Sequence, residues 1–197
     1  MTQVPEYKIV TIGDHSVGKT CLIMRYYYGD FQANPKPTIG AAYVKVKTEA
    51  NGKKVSLNLW DTAGQEAYTK LVPIYLQDSH CILICYDLTQ TDQLSKVQSF
   101  IDVAHERCPP EVPIIVVGCK VDKFEGQNPG EEVGSWCMNN NIDHFTTSAV
   151  TGFGIEDLFV SVATKAAEAA NVVNKQNMVL KKKRELQEAK ENSSGCC

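Results

Sequence analysis

The octapeptide Gly13-Asp14-His15-Ser16-Val17-Gly18-Lys19-Thr20 constrains this chain more than any other feature, because it joins two segments of different periodicity. Before it, Tyr7-Lys8-Ile9-Val10-Thr11-Ile12 reads as a strand ended by Gly13; after it, Leu22, Ile23, Tyr26 and Tyr27 fall at helical spacing. A strand that becomes a helix through two glycines leaves a curled loop whose N–H groups converge at the positive end of that helix. In that context G-x-x-x-x-G-K-[ST] is a polyphosphate cradle. The backbone from His15 to Gly18, with Val17 between them, lines it, and Cys21 follows in the first helical turn. Lys19 can reach terminal phosphates and the Thr20 hydroxyl can ligate Mg²⁺. The motif implies a nucleoside triphosphate without naming the base.

The rest of the chain alternates in the same way. Ala42 to Glu49 and Val55 to Trp60 read as two strands joined at Asn51-Gly52, a strong hairpin signal. Cys81 to Tyr86 and Val112 to Val117 are continuous apolar runs suited to strands buried on both faces, and His144 to Thr147 is a short last strand. Leu94, Val97, Ile101 and Ala104 mark one helix; Val133, Trp136 and Cys137 a second; Ile155, Leu158, Phe159, Val162, Ala163 and Ala166 a third. The expected architecture is α/β, a P-loop NTPase fold: a six-stranded, mostly parallel sheet with one antiparallel strand and helices on both faces.

Asp61, in Trp60-Asp61-Thr62-Ala63-Gly64-Gln65-Glu66, ends a strand beside the cradle, where a carboxylate can hold Mg²⁺ through water. The Gly64 N–H can meet a γ-phosphate, and Gln65, the candidate catalytic residue, can orient a water for in-line attack. Together with Pro37-Thr38-Ile39-Gly40, these motifs resemble the Ras-like small GTPases over about residues 6–170. The resemblance implies that Thr38 closes over Mg²⁺ and the γ-phosphate, completing a metal set of Thr20, Thr38 and Asp61, and that Phe31 packs on the base edge.

The guanine-reading motif of that family, Asn-Lys-x-Asp, stands here as Cys119-Lys120-Val121-Asp122. Asp122 can accept both guanine N–H protons and the Lys120 stem can cover the purine, but Cys119 replaces an amide that ties the base to the phosphate loop. Ser148-Ala149-Val150 resembles the family's Ser-Ala-Lys, with Val150 in place of Lys. His15 is a further departure: that position is Gly in Ras proteins, so slow turnover and a weak response to arginine-finger activators are expected.

Trp60, the strand Ser56 to Trp60 and the terminal Cys196-Cys197 are similar to the Rab branch, and Thr38 to Tyr43 to its early endocytic group. By that likeness Tyr43, Trp60 and Tyr75 form an effector-reading aromatic patch, although Tyr75-Leu76-Gln77-Asp78-Ser79 departs from the usual second-switch sequence. The double cysteine matches the Rab ending that carries two geranylgeranyl chains, and two chains anchor stably where one does not. Lys181 to Arg184 adds attraction to anionic lipid.

Charge divides the chain accordingly. Residues 1–170 carry 14 basic and 20 acidic side chains, a net −6, whereas residues 171–197 carry 6 and 3, a net +3. The acidic body excludes a general nucleic-acid footprint. No apolar run is long enough to span a bilayer, no secretory leader is evident, and the cysteines make no close-spaced zinc pattern, as in a reduced, cytosolic protein. The expected organisation is a GTPase domain at 1–170 and a tail at 171–197, read as mobile although its first residues could extend the last helix.

The resemblance implies a monomeric, Mg²⁺-dependent GTP/GDP switch that recruits effectors in the GTP state and directs vesicle traffic. It would cycle on and off the cytosolic face of endomembranes. Its implied partners are an exchange factor, a GTPase-activating protein, effectors, a GDP-dissociation inhibitor and a prenylation escort. A second reading, a hydrolysis-impaired pseudo-GTPase or nucleotide-regulated binding module, is favoured by Cys119 and His15 together.

Overall fold

The computed structural model describes residues 4–33, 35–64, 72–126 and 130–172. Six strands, β1 (Glu6–Ile12), β2 (Ala41–Ala50), β3 (Lys53–Thr62), β4 (Cys81–Asp87), β5 (Ile114–Cys119) and β6 (Asp143–Thr146), form one sheet. Its spatial order is β2-β3-β1-β4-β5-β6. Only the β2–β3 pair is antiparallel. That hairpin turns at Asn51 and Gly52, with φ of 50° and 71°, the two positive values a tight two-residue turn requires.

The helices are α1 (Lys19–Tyr28), α2 (Val72–Leu76), α3 (Gln93–Arg107), α4 (Glu131–Asn139) and α5, which covers residues 155–172. Strand alternation sorts the core into two layers. Ile9, Leu83, Cys85, Ile115 and Val117 face α1 and α5, through Leu22, Ile23, Leu158, Phe159 and Val162. Val10, Ile12, Ile82, Ile84 and Val116 face α2, α3 and α4, through Leu76, Val97, Ile101, Ala104, Val133 and Cys137. Tyr26 stacks on Phe159 with centroids 3.8 Å apart, which pins α1 to α5. This is the expected six-stranded mixed sheet with helices on both faces.

The strand ends differ from the sequence reading by one or two residues. β5 begins at Ile114 rather than Val112, because Pro113 has no N–H to give to the ladder. β6 ends at Thr146, and the Thr147 N–H turns to the Gly118 carbonyl at 2.7 Å. The five-residue α2 was not anticipated, since it is too short to show a helical period and carries Pro73 near its start. α5 is helical through residue 172; the rest of the tail, with Lys181 to Arg184 and Cys196-Cys197, lies outside the described residues. Among the described residues no helix is long and apolar enough to cross a membrane.

Candidate functional site

The loop between β1 and α1 is shaped by close approach. Gly13 has φ of 143°, and a Cβ there would lie 2.2 Å from the Cys85 carbonyl oxygen, so only glycine passes β4 at this point. Gly18, at φ 120°, precedes α1 directly, and the first turn of that helix delivers Lys19 and Thr20. Lys19 is 5% exposed, and its Nζ donates to the Gly13 and Asp14 carbonyls at 2.8 and 2.6 Å. Burial lowers its pKa from the ordinary lysine value, which makes a nearby anion the natural complement of this ammonium.

A cavity of about 420 Å³ opens over the loop. His15, Ser16, Gly18, Lys19, Thr20 and Cys21 line one side, and residues 35–38 and 62–64 the other. Val17 is buried at 1% exposure beneath it, so only its backbone can contribute. Gly64 abuts the loop so closely that a Cβ would fall 2.5 Å from the Asp14 carbonyl. Gln65 lies outside the described residues.

Thr20 from α1, Thr38 from the α1–β2 loop and Asp61 from the end of β3 meet at this cavity. Both hydroxyls donate to Asp61 Oδ2 at 2.7 Å, and they lie 3.1 Å from each other. Burial raises the Asp61 pKa, against the hydrogen bonds from Thr38 and Thr20 and the charge of Lys19. Its Oδ1 is buried with no hydrogen-bond partner among the described residues. A desolvated carboxylate with a spare oxygen beside two hydroxyls is a hard-oxygen donor set, and it fits Mg²⁺ shared with phosphate oxygens. Among the described residues no group of three or more His, Cys, Asp or Glu could hold a metal.

A narrower slot of about 130 Å³ joins this cavity at Gly18, Cys21 and Lys120. Phe31, Cys119, Asp122, Ala149 and Val150 line it, together with Leu22, Lys123 and Thr147. The β5–α4 and β6–α5 loops are knitted together around it. The Ser148 hydroxyl donates to Asp122 Oδ1 at 2.6 Å and accepts the Thr151 N–H at 3.1 Å, while the Val121 N–H reaches the Thr147 carbonyl at 3.1 Å. Ser148 is fully buried, so its contribution to the slot is to aim Asp122.

Cys119 packs against Gly18, whose Cβ would stand 3.3 Å from the Cys119 Cβ. Its sulfur donates to the Val117 carbonyl at 3.9 Å, and the neighbouring Cys119 thiol together with burial holds the Cys85 thiol well above its ordinary value. Lys120 carries the polar connection instead, donating to the Ser16 carbonyl and to Asp87 Oδ2, each at 2.7 Å.

Tyr43, Trp60 and Tyr75 form a continuous row. Tyr43 and Trp60 are register partners across β2 and β3 with centroids 5.6 Å apart, and Tyr75 on α2 lies 6.2 Å from Trp60. Lys8 Nζ sits 5.1 Å over the indole. Ile39 and Ile74, on the segments that bring Thr38 and Tyr75, are exposed.

Sequence reasoning missed the lining by Pro35, Lys36 and Pro37, and the role of Asp87. Asp87 had a signal: an acid closing a wholly apolar strand, with a threonine two residues on to hold it. The six cysteines among the described residues are all free.

Comparison with known proteins agrees with this geometry. The Ras family matches residues 8–168. The chain is 34% identical over 167 residues to the Ras-related protein Rab-21 of Homo sapiens, covering 84% of this chain and 74% of that one. It is 31% identical to the GTP-binding protein YPT53 of Saccharomyces cerevisiae, over 80% and 75% of the two chains. It is 30% identical to the Ras-related protein Rab5 of Nicotiana tabacum, over 89% and 88%. The glycine loop, the hydroxyl–carboxylate set and the adjoining slot all lie within the residues that the family matches, and the chain belongs to the Ras family as a divergent Rab-like small GTPase.

Proposed function

We infer that this protein binds GTP in the two joined cavities, hydrolyses it, and acts as a Rab-type switch in vesicle trafficking. The observation that carries the reading is the convergence of Thr20, Thr38 and Asp61 beside Lys19, from three separate segments of the chain.

In this reading the triphosphate lies on the N–H groups of residues 15–20, with Lys19 and the Gly64 N–H toward its outer phosphates. Asp122 and the Ala149 N–H hold the guanine, with Phe31, Lys120 and Val150 around it. Mg²⁺, when bound by Thr20, Thr38 and Asp61, neutralises charge on the phosphates. Gln65 orients the attacking water, and the protein accelerates hydrolysis by positioning and by stabilising charge rather than through a covalent intermediate. Thr38 and Gly64 are both held by the γ-phosphate. Its loss releases them, and with them the exposed surface of Ile39, Tyr43, Trp60, Ile74 and Tyr75 that would recruit effectors. The tail supplies the anchor through lipidated Cys196 and Cys197.

Nucleotide extracted from the purified protein, and phosphate release with and without Mg²⁺, test this. Guanine nucleotide that copurifies and slow, Mg²⁺-dependent release of phosphate are expected. Protein that purifies empty and inert would instead favour the binding-module reading, and adenine nucleotides that displace guanine would defeat the assignment of the slot.

Cys119 and His15 set how strongly the switch works. Restoring an amide with Cys119→Asn is expected to tighten GDP binding by about one to two decades, the worth of one or two hydrogen bonds in a buried site, roughly 1–3 kcal/mol. Fluorescent-GDP titration measures it, and equal affinities refute it. His15 is exposed and lines the phosphate cavity, where an imidazole would crowd an incoming arginine. His15→Gly is expected to speed single-turnover hydrolysis several-fold and to enlarge the response to an arginine-finger activator; an unchanged rate counts against crowding.

A further inference from the structure

Asp87 ends β4 directly beside Cys119, its register partner on β5, and the Leu88 N–H donates to the Cys119 carbonyl at 3.0 Å. The carboxylate is 2% exposed and occupied on both oxygens. Oδ1 accepts the Thr89 N–H at 2.9 Å and the Thr89 hydroxyl at 2.7 Å. Oδ2 accepts the Lys120 ammonium at 2.7 Å and the Gln90 amide at 3.4 Å. Burial alone would raise the Asp87 pKa, but the bonds from Lys120 and Thr89 hold it below the ordinary carboxylate value, so it is anionic at neutral pH. Lys120 is itself constrained, with φ of 65°, and its ammonium also donates to the Ser16 carbonyl at 2.7 Å. Because the Cys119 thiol provides no comparable donor, the described link between base slot and phosphate loop runs from Ser16 through Lys120 to Asp87.

Resting on the reading of these cavities as a guanine-nucleotide site, we propose that Asp87 is a positioning residue that holds Lys120 on the phosphate loop and thereby slows nucleotide release. It acts through Lys120 and touches no nucleotide itself. The carboxylate is immobilised by Thr89, so it presents a fixed acceptor to a long, flexible side chain. Without that acceptor the ammonium swings to solvent, and the two loops can separate when nucleotide leaves.

The test is the release rate of a fluorescent GDP from the full chain carrying Asp87→Asn, Lys120→Met, or both. Each single variant is expected to release about tenfold faster, the scale of one charge-assisted hydrogen bond to a buried group. The double variant is expected to release no faster than the faster single, because both remove one link. Rates that multiply in the double variant, or wild-type release from Asp87→Asn, overturn the proposal. Should Asp87→Asn fail to fold, Thr89→Val decides: it keeps the charge but loosens the carboxylate. It is expected to speed release by less, and only while Lys120 is present; no acceleration overturns the proposal. A wild-type protein that binds no GDP would defeat the site assignment itself, which is a separate result from normal binding with an indifferent Asp87.

Discussion

Replacing Lys19 with methionine is expected to weaken guanine-nucleotide binding by about two to four decades while leaving the fold intact. The side chain is 5% exposed and its ammonium is held by the Gly13 and Asp14 carbonyls, so it is already desolvated and aimed across the cavity floor. A desolvated cation gains more from a polyphosphate than a solvated one does, because the cost of leaving water has been met during folding. Charge-assisted hydrogen bonds are worth about 1.5–3 kcal/mol each, and two of them correspond to roughly two to four decades in affinity. Methionine fills the same stem volume without the charge, which isolates the electrostatic contribution from packing. Calorimetric or fluorescence titration with GDP reads the effect directly. Affinity within threefold of wild type would mean that the polyphosphate does not lie on this loop, and the proposed function would fail with it.

That argument was open to sequence reasoning because a glycine-rich turn between a strand and a helix is a local feature. The octapeptide dictates its own geometry, and Gly13 and Gly18 have the positive φ such a turn needs. The apolar runs were equally legible: β4 is buried along its whole length, as a central parallel strand must be. Contacts between distant segments were less so. Thr38 could be assigned to Asp61 only through resemblance, since nothing in a loop residue announces a carboxylate 23 positions away. The replacement at Cys119 was visible as a missing amide, but the bonds of Lys120 to Ser16 and Asp87 were not, because they span 104 and 33 positions. The helix α2 escaped for a different reason: five residues show no period, and its place under Trp60 is fixed by tertiary packing.

Gly64→Ala is expected to uncouple GTP from the switch while sparing GDP. A Cβ at this position would lie 2.5 Å from the Asp14 carbonyl carbon and oxygen and 2.6 Å from the His15 nitrogen. All three are backbone atoms of the phosphate loop, so no side-chain rotation can relieve the overlap, and the chain after β3 must move away from the cavity. The displacement does not stay local, because the Ala63 N–H donates to the Gly40 carbonyl at 2.8 Å and a Cβ on Gly40 would already crowd the Tyr75 hydroxyl at 3.3 Å. Withdrawing Gly64 therefore strains the segment that carries Thr38 and the helix that carries Tyr75. GDP makes no demand on a γ-phosphate contact, so its affinity should stay within a few-fold of wild type. A GTP analogue should lose its advantage over GDP. Hydrolysis should fall by at least about tenfold to a hundredfold, the scale for losing one preorganised donor at developing charge. Paired GDP and GTP-analogue titrations with single-turnover phosphate release measure all three. If Gly64→Ala hydrolysed GTP at the wild-type rate, contact between residue 64 and the phosphate loop could not be what couples the nucleotide to the aromatic surface.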